Sequence, residues 1–112
     1  MILKAEERIT PENFKSKEEY LIYLRHLFAY EFAKDEISDN VFVLEIGCGE
    51  GYGTYLLSQK VTKIIGLDID KDTIAHASMK YKSENCKFKV YDGQIIPYKD
   101  NTFDVVISFQ VI

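Results

Sequence analysis

The sequence predicts an α/β fold built on a parallel sheet, and three observations predict it. Short, nearly all-apolar runs recur at residues 41–46, 61–67, 88–91 and 103–109. Runs of that length and character suit strands buried on both faces of a parallel sheet. Helix-compatible segments separate the first three runs, as right-handed crossovers require. A glycine-rich stretch, VLEIGCGEGYGT (43–54), joins the first run to the segment behind it.

In chain order, residues 1–15 read as an irregular arm containing Pro11. Ser16-Lys-Glu-Glu19 has the form of a capping box, in which the serine accepts from an early helix N–H and the glutamate reaches back. A helix then runs to about Ile37, with Leu21, Leu24, Phe28 and Phe32 at helical spacing on one face. Such an aromatic stripe reads as a packing face that covers a sheet or a pocket mouth. Ser38-Asp-Asn40 ends the helix. The first strand, 41–46, leads through the glycines into a helix from about Tyr52 to Gln59. The second strand, 61–67, ends in Asp68-Ile-Asp70, where Asp70 suits the N-cap of a helix over 71–82. The third strand, 88–91, is closed by Asp92-Gly93. A loop with Pro97 and the turn Lys99-Asp-Asn101 then holds at most a turn of helix before the fourth strand, 103–109.

Bulk properties exclude several classes. A chain of 112 residues is long enough for one core. No stretch approaches the ~18 apolar residues of a membrane span, and the N-terminus turns charged too early for a secretory signal. Two cysteines, Cys48 and Cys86, are too few for a disulfide scaffold, and nothing has zinc-ligand spacing. A reducing cytoplasm fits. The net charge of −4 argues against nucleic acid, since phosphate binding needs a basic patch. KYKSENCKFK is interrupted by acid and reads as solvated surface. His26 and His76 read as surface helix residues.

Four of the six glycines, Gly47, Gly49, Gly51 and Gly53, fall at every second position of one segment. Glycine permits positive φ and a ligand's close approach to the backbone. In open parallel sheets the ligand sits beyond the carboxyl ends of the strands, where this segment lies. Amide groups at the following helix start would be offered to electron-rich groups. The dinucleotide fingerprint G-x-G-x-x-G fails in every register, because Tyr52, Thr54 and Leu56 stand where its third glycine belongs. The phosphate loop fails as well, for want of a Gly-Lys pair. What remains is Glu45-x-Gly47-x-Gly49-x-Gly51.

That pattern, EIGCGEG, resembles the first motif of the class I S-adenosylmethionine-dependent methyltransferases. The likeness continues in order through IIGLDID, KVYDGQ and IPYKDNTFDVVIS, over residues 41–112. The resemblance implies a Rossmann-like sheet of strand order 3-2-1-4 and S-adenosyl-L-methionine as cofactor. It implies that Gly47, Cys48, Gly49 and Gly51 form the cofactor loop and that Glu45 orients the methionine end. It assigns Asp68 to the ribose hydroxyls, Ile69 to the adenine face and Asp92 to the adenine amino group, and it counts Gly93 among the cofactor-binding residues. Phe109 opens the loop that in the family lines the methionine and substrate side. Cys48 otherwise reads as a small residue between glycines. The family's sheet continues past its fourth strand, so the chain reads as a cofactor-binding half truncated after that strand. Residues 1–40 would be an arm and capping helix, and 41–112 a partial cofactor-binding domain. The acceptor and the catalytic residues stay unassigned. A non-catalytic cofactor- or partner-binding module, or a fragment of an NAD-binding oxidoreductase, are the rival readings. Strand 103–109 would be an unguarded apolar edge, which invites self-association.

Overall fold

The computed structural model describes residues 17–109. The expected N-terminal arm, Ser16 of the capping box, and Val111 and Ile112 lie outside the described residues. Seven elements follow in order: α1 (Lys17–Glu36), β1 (Phe42–Ile46), α2 (Tyr52–Ser58), β2 (Lys63–Asp68), α3 (Lys71–Lys80), β3 (Cys86–Val90) and β4 (Val105–Ile107). The strands form one sheet in the order β3-β2-β1-β4 with every pairing parallel. This is the order expected for a Rossmann-like fold. Residues 91–104 hold no helix.

Register assigns the faces. Val105, Val43, Ile64 and Cys86 form one row across the sheet, and Ile107, Glu45, Gly66 and Phe88 form the row two residues on. Side chains two apart share a face, so both rows point the same way. The first row packs with Tyr30 and Ala33 of α1, Ile37 just beyond its end and Leu57 of α2 in one core. Glu45 is carried into that apolar layer by the same geometry and is wholly buried.

Local chemistry explains the boundaries. The Asp70 carboxylate accepts from the amides of Asp72 (3.0 Å) and Thr73 (3.3 Å), which starts α3 as expected. α3 ends at Lys80, two residues before the expected point, where Tyr81 leaves helical geometry. β4 is shorter than the apolar run 103–109. Asp104 ahead of it instead accepts from the Phe42 amide at 2.8 Å, tying the strand's start to β1.

α1 differs from its sequence reading. The face expected to pack is largely exposed, with Phe28 at 70%, Phe32 at 66% and Leu21 at 45%. The buried stripe is His26, Tyr30, Ala33 and Ile37. The helix carries apolar groups on two faces, so period alone did not choose between them. Polar partners favour the second face: His26 Nδ1 meets the Tyr52 hydroxyl at 3.1 Å and Tyr30 reaches Glu45. His26 is therefore a core residue, not a surface one, and burial lowers its pKa.

Candidate functional site

The glycine segment leaves β1 at the carboxyl end of the sheet. Gly47, Gly49 and Gly51 hold φ of 79°, 58° and 90°. Gly51, the N-cap of α2, is doubly constrained. Its backbone is left-handed, and a Cβ there would lie 2.9 Å from Ala77 of α3 and from the Phe88 ring. Gly53 is required for a different reason. Its Cβ would stand 2.1 Å from the Tyr30 ring, so the fourth glycine makes room for an α1 side chain. Gly66 likewise makes room for Cys48, whose Cβ would be 2.8 Å from a side chain at 66. Neither purpose had a signal in the local sequence, because both partners are distant in the chain.

The loop's amides turn inward. Gly47 and Cys48 N–H donate to the Leu67 carbonyl at 2.8 and 2.9 Å, and Gly51 N–H donates to the Cys48 carbonyl at 3.2 Å. Gly49 N–H donates to Oδ2 of Asp68 at 3.0 Å. These four amides are taken by β2 and by the loop itself.

The structure brings the sequence-predicted residues together unevenly. Asp68, at the end of β2, is 2% exposed and holds Gly49 N–H on one oxygen and Asp70 N–H (3.1 Å) on the other. Each carboxylate oxygen thus accepts from a backbone amide, which fixes the side chain at the end of β2. Ile69 follows, 62% exposed, and approaches Gly93, whose Cβ would meet it at 3.1 Å. Asp92 is exposed and its Oδ1 accepts from the amides of Gln94 and Ile95, both at 2.8 Å. Those two bonds hold its carboxyl below its ordinary pKa. Cys48 is buried, its Sγ 3.9 Å from the Gly49 carbonyl. Phe109 packs edge-on against Tyr30, ring centroids 4.6 Å apart.

Glu45 lies beneath the loop. Thr54 Oγ1 donates to its Oε1 at 2.6 Å and the Tyr30 hydroxyl donates to its Oε2. Burial pushes its pKa from 4.5 up to about 7, the bonds from Thr54 and Tyr30 draw it down, and the nearby Asp68 charge raises it. Tyr30 was not singled out by sequence reasoning beyond the aromatic character of α1.

A separate open hollow of about 520 Å³ lies between the end of α3 and the start of β3, lined by Tyr81, Glu84, Cys86 and Phe88 among others. Burial lifts the Cys86 thiol there to about 11, so it is held as an unreactive thiol. Among the described residues no group of His, Cys, Asp and Glu could hold a metal ion.

A parallel sheet with a left-handed acid-and-glycine loop at the carboxyl end of β1 and a buried aspartate at the end of β2 defines a nucleoside-cofactor-binding α/β protein. Residues 43–112 match the family model for a methyltransferase domain, and the chain belongs to that family. S-adenosyl-L-methionine is the cofactor that this membership implies. The chain is similar to a probable S-adenosylmethionine-dependent methyltransferase of Mycolicibacterium smegmatis, 42% identical over 72 residues, covering 62% of this chain and 26% of that protein. A probable S-adenosylmethionine-dependent methyltransferase of Mycobacterium tuberculosis is 38% identical over 72 residues, covering 62% and 25%. The chain thus spans about a quarter of the length of these curated relatives. Among solved structures, the YcgJ protein of Bacillus subtilis superposes with a TM-score of 0.64 at 25% identity, covering 77% of this chain and 37% of that one. A TehB-like methyltransferase of Corynebacterium glutamicum gives 0.61 at 22%, covering 82% and 53%, and supports the fold.

Proposed function

We propose that this chain supplies the cofactor-binding part of an S-adenosylmethionine-dependent methyltransferase. The observation that carries the reading is the acid-and-glycine loop of left-handed backbone anchored on Asp68 at the carboxyl ends of β1 and β2. In this reading Gly47, Cys48, Gly49 and Gly51 lie against the cofactor and Asp68 takes the ribose hydroxyls. Ile69, exposed beside Gly93, covers the adenine, and Asp92 accepts from the adenine amino group. Glu45 orients the methionine end from beneath the loop, and Phe109 closes that side. Residues 41–112 form the cofactor-binding part, and residues 1–40 provide the arm and the helix that backs it.

The bound cofactor supplies a methyl group already activated on a sulfonium, so transfer is largely a matter of aligning an acceptor in line with it. The chain's contribution is to bind and orient. Relatives of this stretch carry names as different as sterol 4-C-methyltransferase and fatty-acid O-methyltransferase, so no acceptor is assigned. No helix among the described residues is long and apolar enough to cross a membrane. Two buried cysteines, neither in a disulfide, fit a reducing compartment such as the cytoplasm.

Equilibrium calorimetry with S-adenosylhomocysteine and with NAD tests the assignment. Binding of the first and not the second is expected, and the reverse preference would overturn it. Asp68→Ala should weaken S-adenosylhomocysteine by about 1.5–3 kcal/mol, the weight of bonds to a charged group. The same substitution frees the Gly49 amide, so the loss should sit at the upper end of that range. An unchanged Kd would end the ribose assignment.

The edge strand has a consequence for association. β4 stands at one side of the sheet, and Val106 on it is 56% exposed. An apolar edge without a lysine or proline pairs readily with another chain. Sedimentation at micromolar concentration should find the chain self-associating. A monomer throughout would show that this edge is protected.

A further inference from the structure

Tyr30 lies outside residues 43–112, which the family model matches, yet it reaches the centre of the glycine segment. It is 2% exposed. Its hydroxyl donates to one oxygen of Glu45 while Thr54 donates to the other. Its ring occupies the space above Gly53 that a Cβ would fill. The rings of Tyr52 and Phe109 meet it edge-on at 6.0 and 4.6 Å. One α1 residue is therefore tied to β1, to α2 and to the segment that follows β4. Glu45 precedes the loop by two positions and Thr54 follows it by three. A single buried carboxylate thus joins the two ends of the glycine loop, and Tyr30 is the hydroxyl that reaches it from outside the segment.

Resting on the reading that this loop accepts S-adenosylmethionine, we propose that Tyr30 is a positioning residue of the cofactor site. It acts through Glu45 to hold both ends of the glycine loop at the separation the cofactor needs. The bonds themselves set its dependence on pH. Both hydroxyls donate, which suits the carboxylate form of Glu45; a proton on Glu45 removes one acceptor place and reverses one bond. The groups facing this centre are Tyr30 of α1, Tyr52 and Thr54 of α2, Cys48 of the loop, Asp68 of β2 and Cys86 of β3. From β4 the neighbour in register is Ile107, which does not titrate. Burial and the adjacent Glu45 keep Tyr30 far above its ordinary pKa, so it remains a donor. Glu45 titrates near 7, and the Tyr30 bond lowers that value. Affinity should fall as pH drops through the Glu45 transition. Removing the Tyr30 hydroxyl should make the fall begin at a higher pH.

The test is calorimetric binding of S-adenosylhomocysteine to the full chain on both sides of neutrality, for the wild type, Tyr30→Phe, Glu45→Gln and the double variant. The ligand's own titration is common to all four. Tyr30→Phe keeps the ring on Gly53 and should bind at least about tenfold more weakly at neutral pH. Its transition should move to higher pH. Glu45→Gln should lose the transition, and adding Tyr30→Phe to it should cost little more. If Tyr30→Phe lowers affinity with the transition unmoved, or costs as much in the Glu45→Gln background as beside the native glutamate, Tyr30 is packing only and the proposal fails. Wild-type affinity and pH profile in Tyr30→Phe would overturn it equally. Should Tyr30→Phe not fold, Glu45→Gln decides alone: an unchanged affinity and pH profile refutes the linkage. A wild-type chain that binds no S-adenosylhomocysteine at any pH shows instead that the cofactor reading itself is wrong.

Discussion

Gly53→Ala should destabilise the chain by about 3 kcal/mol or more, although alanine is the better helix former by about 1 kcal/mol. Position 53 lies in α2 with ordinary helical backbone, so propensity alone predicts a gain. Sterics decide otherwise. The new Cβ would stand 2.1 Å from two atoms of the Tyr30 ring and 2.4 Å from a third. The ring cannot swing aside cheaply. It is buried, its hydroxyl is held by Glu45, and Tyr52 and Phe109 flank it. Displacing it adds the loss of a bond to a charged group, about 1.5–3 kcal/mol, to an overpacking cost of about 1–3 kcal/mol. Thermal unfolding should show a drop in Tm of roughly ten degrees or more, on the usual scaling for a domain of this size. Tyr30→Leu in the same chain should recover part of the loss by vacating the space. A Tm equal to or above wild type would mean that the Tyr30 ring does not fill the space at Gly53.

Much of the fold was legible because it rests on short-range pattern. The four apolar runs became four parallel strands, in the order that the family resemblance rather than the pattern implied, and Asp70 capped α3 as its position before a helical segment implied. The left-handed glycines were legible too, since alternating glycine after an acidic strand end has few other uses. What escaped was decided by contacts between segments far apart in sequence. The apolar residues Leu21, Phe28 and Phe32 made a reasonable packing face for α1, but Tyr30 and His26 found polar partners across the core and turned the helix the other way. Gly53 looked like a fourth member of the loop, yet its role is to seat a residue 23 positions earlier. The anchoring of the loop was not legible either: Leu67 and Asp68 of β2 take the amides of Gly47, Cys48 and Gly49. Glu45 was marked by its motif, whereas its two hydroxyl partners could be known only from the packing of α1 and α2.

Gly49→Val should abolish cofactor binding, more than about a hundredfold, while far-ultraviolet dichroism stays near that of the wild type. Gly49 holds φ at 58°, a region that β-branched residues almost never adopt. The valine has two outcomes, and both remove the site. If the backbone stays, a branched side chain stands on the strip of loop that the ligand must approach. If the backbone relaxes to negative φ, the Gly49 N–H turns away from Asp68 and the 3.0 Å bond that pins the loop to β2 is lost. The sheet and the three helices do not depend on that one peptide, because the neighbouring amides of Gly47 and Cys48 still hold Leu67. Secondary structure should therefore survive where binding does not. Gly49→Ala separates the two causes, since alanine tolerates left-handed backbone at roughly 1–2 kcal/mol and brings only a methyl group. It should bind detectably but weakly. Calorimetry with S-adenosylhomocysteine on the three proteins reads the series, and a valine variant that binds as well as its parent would show that the ligand never touches this loop.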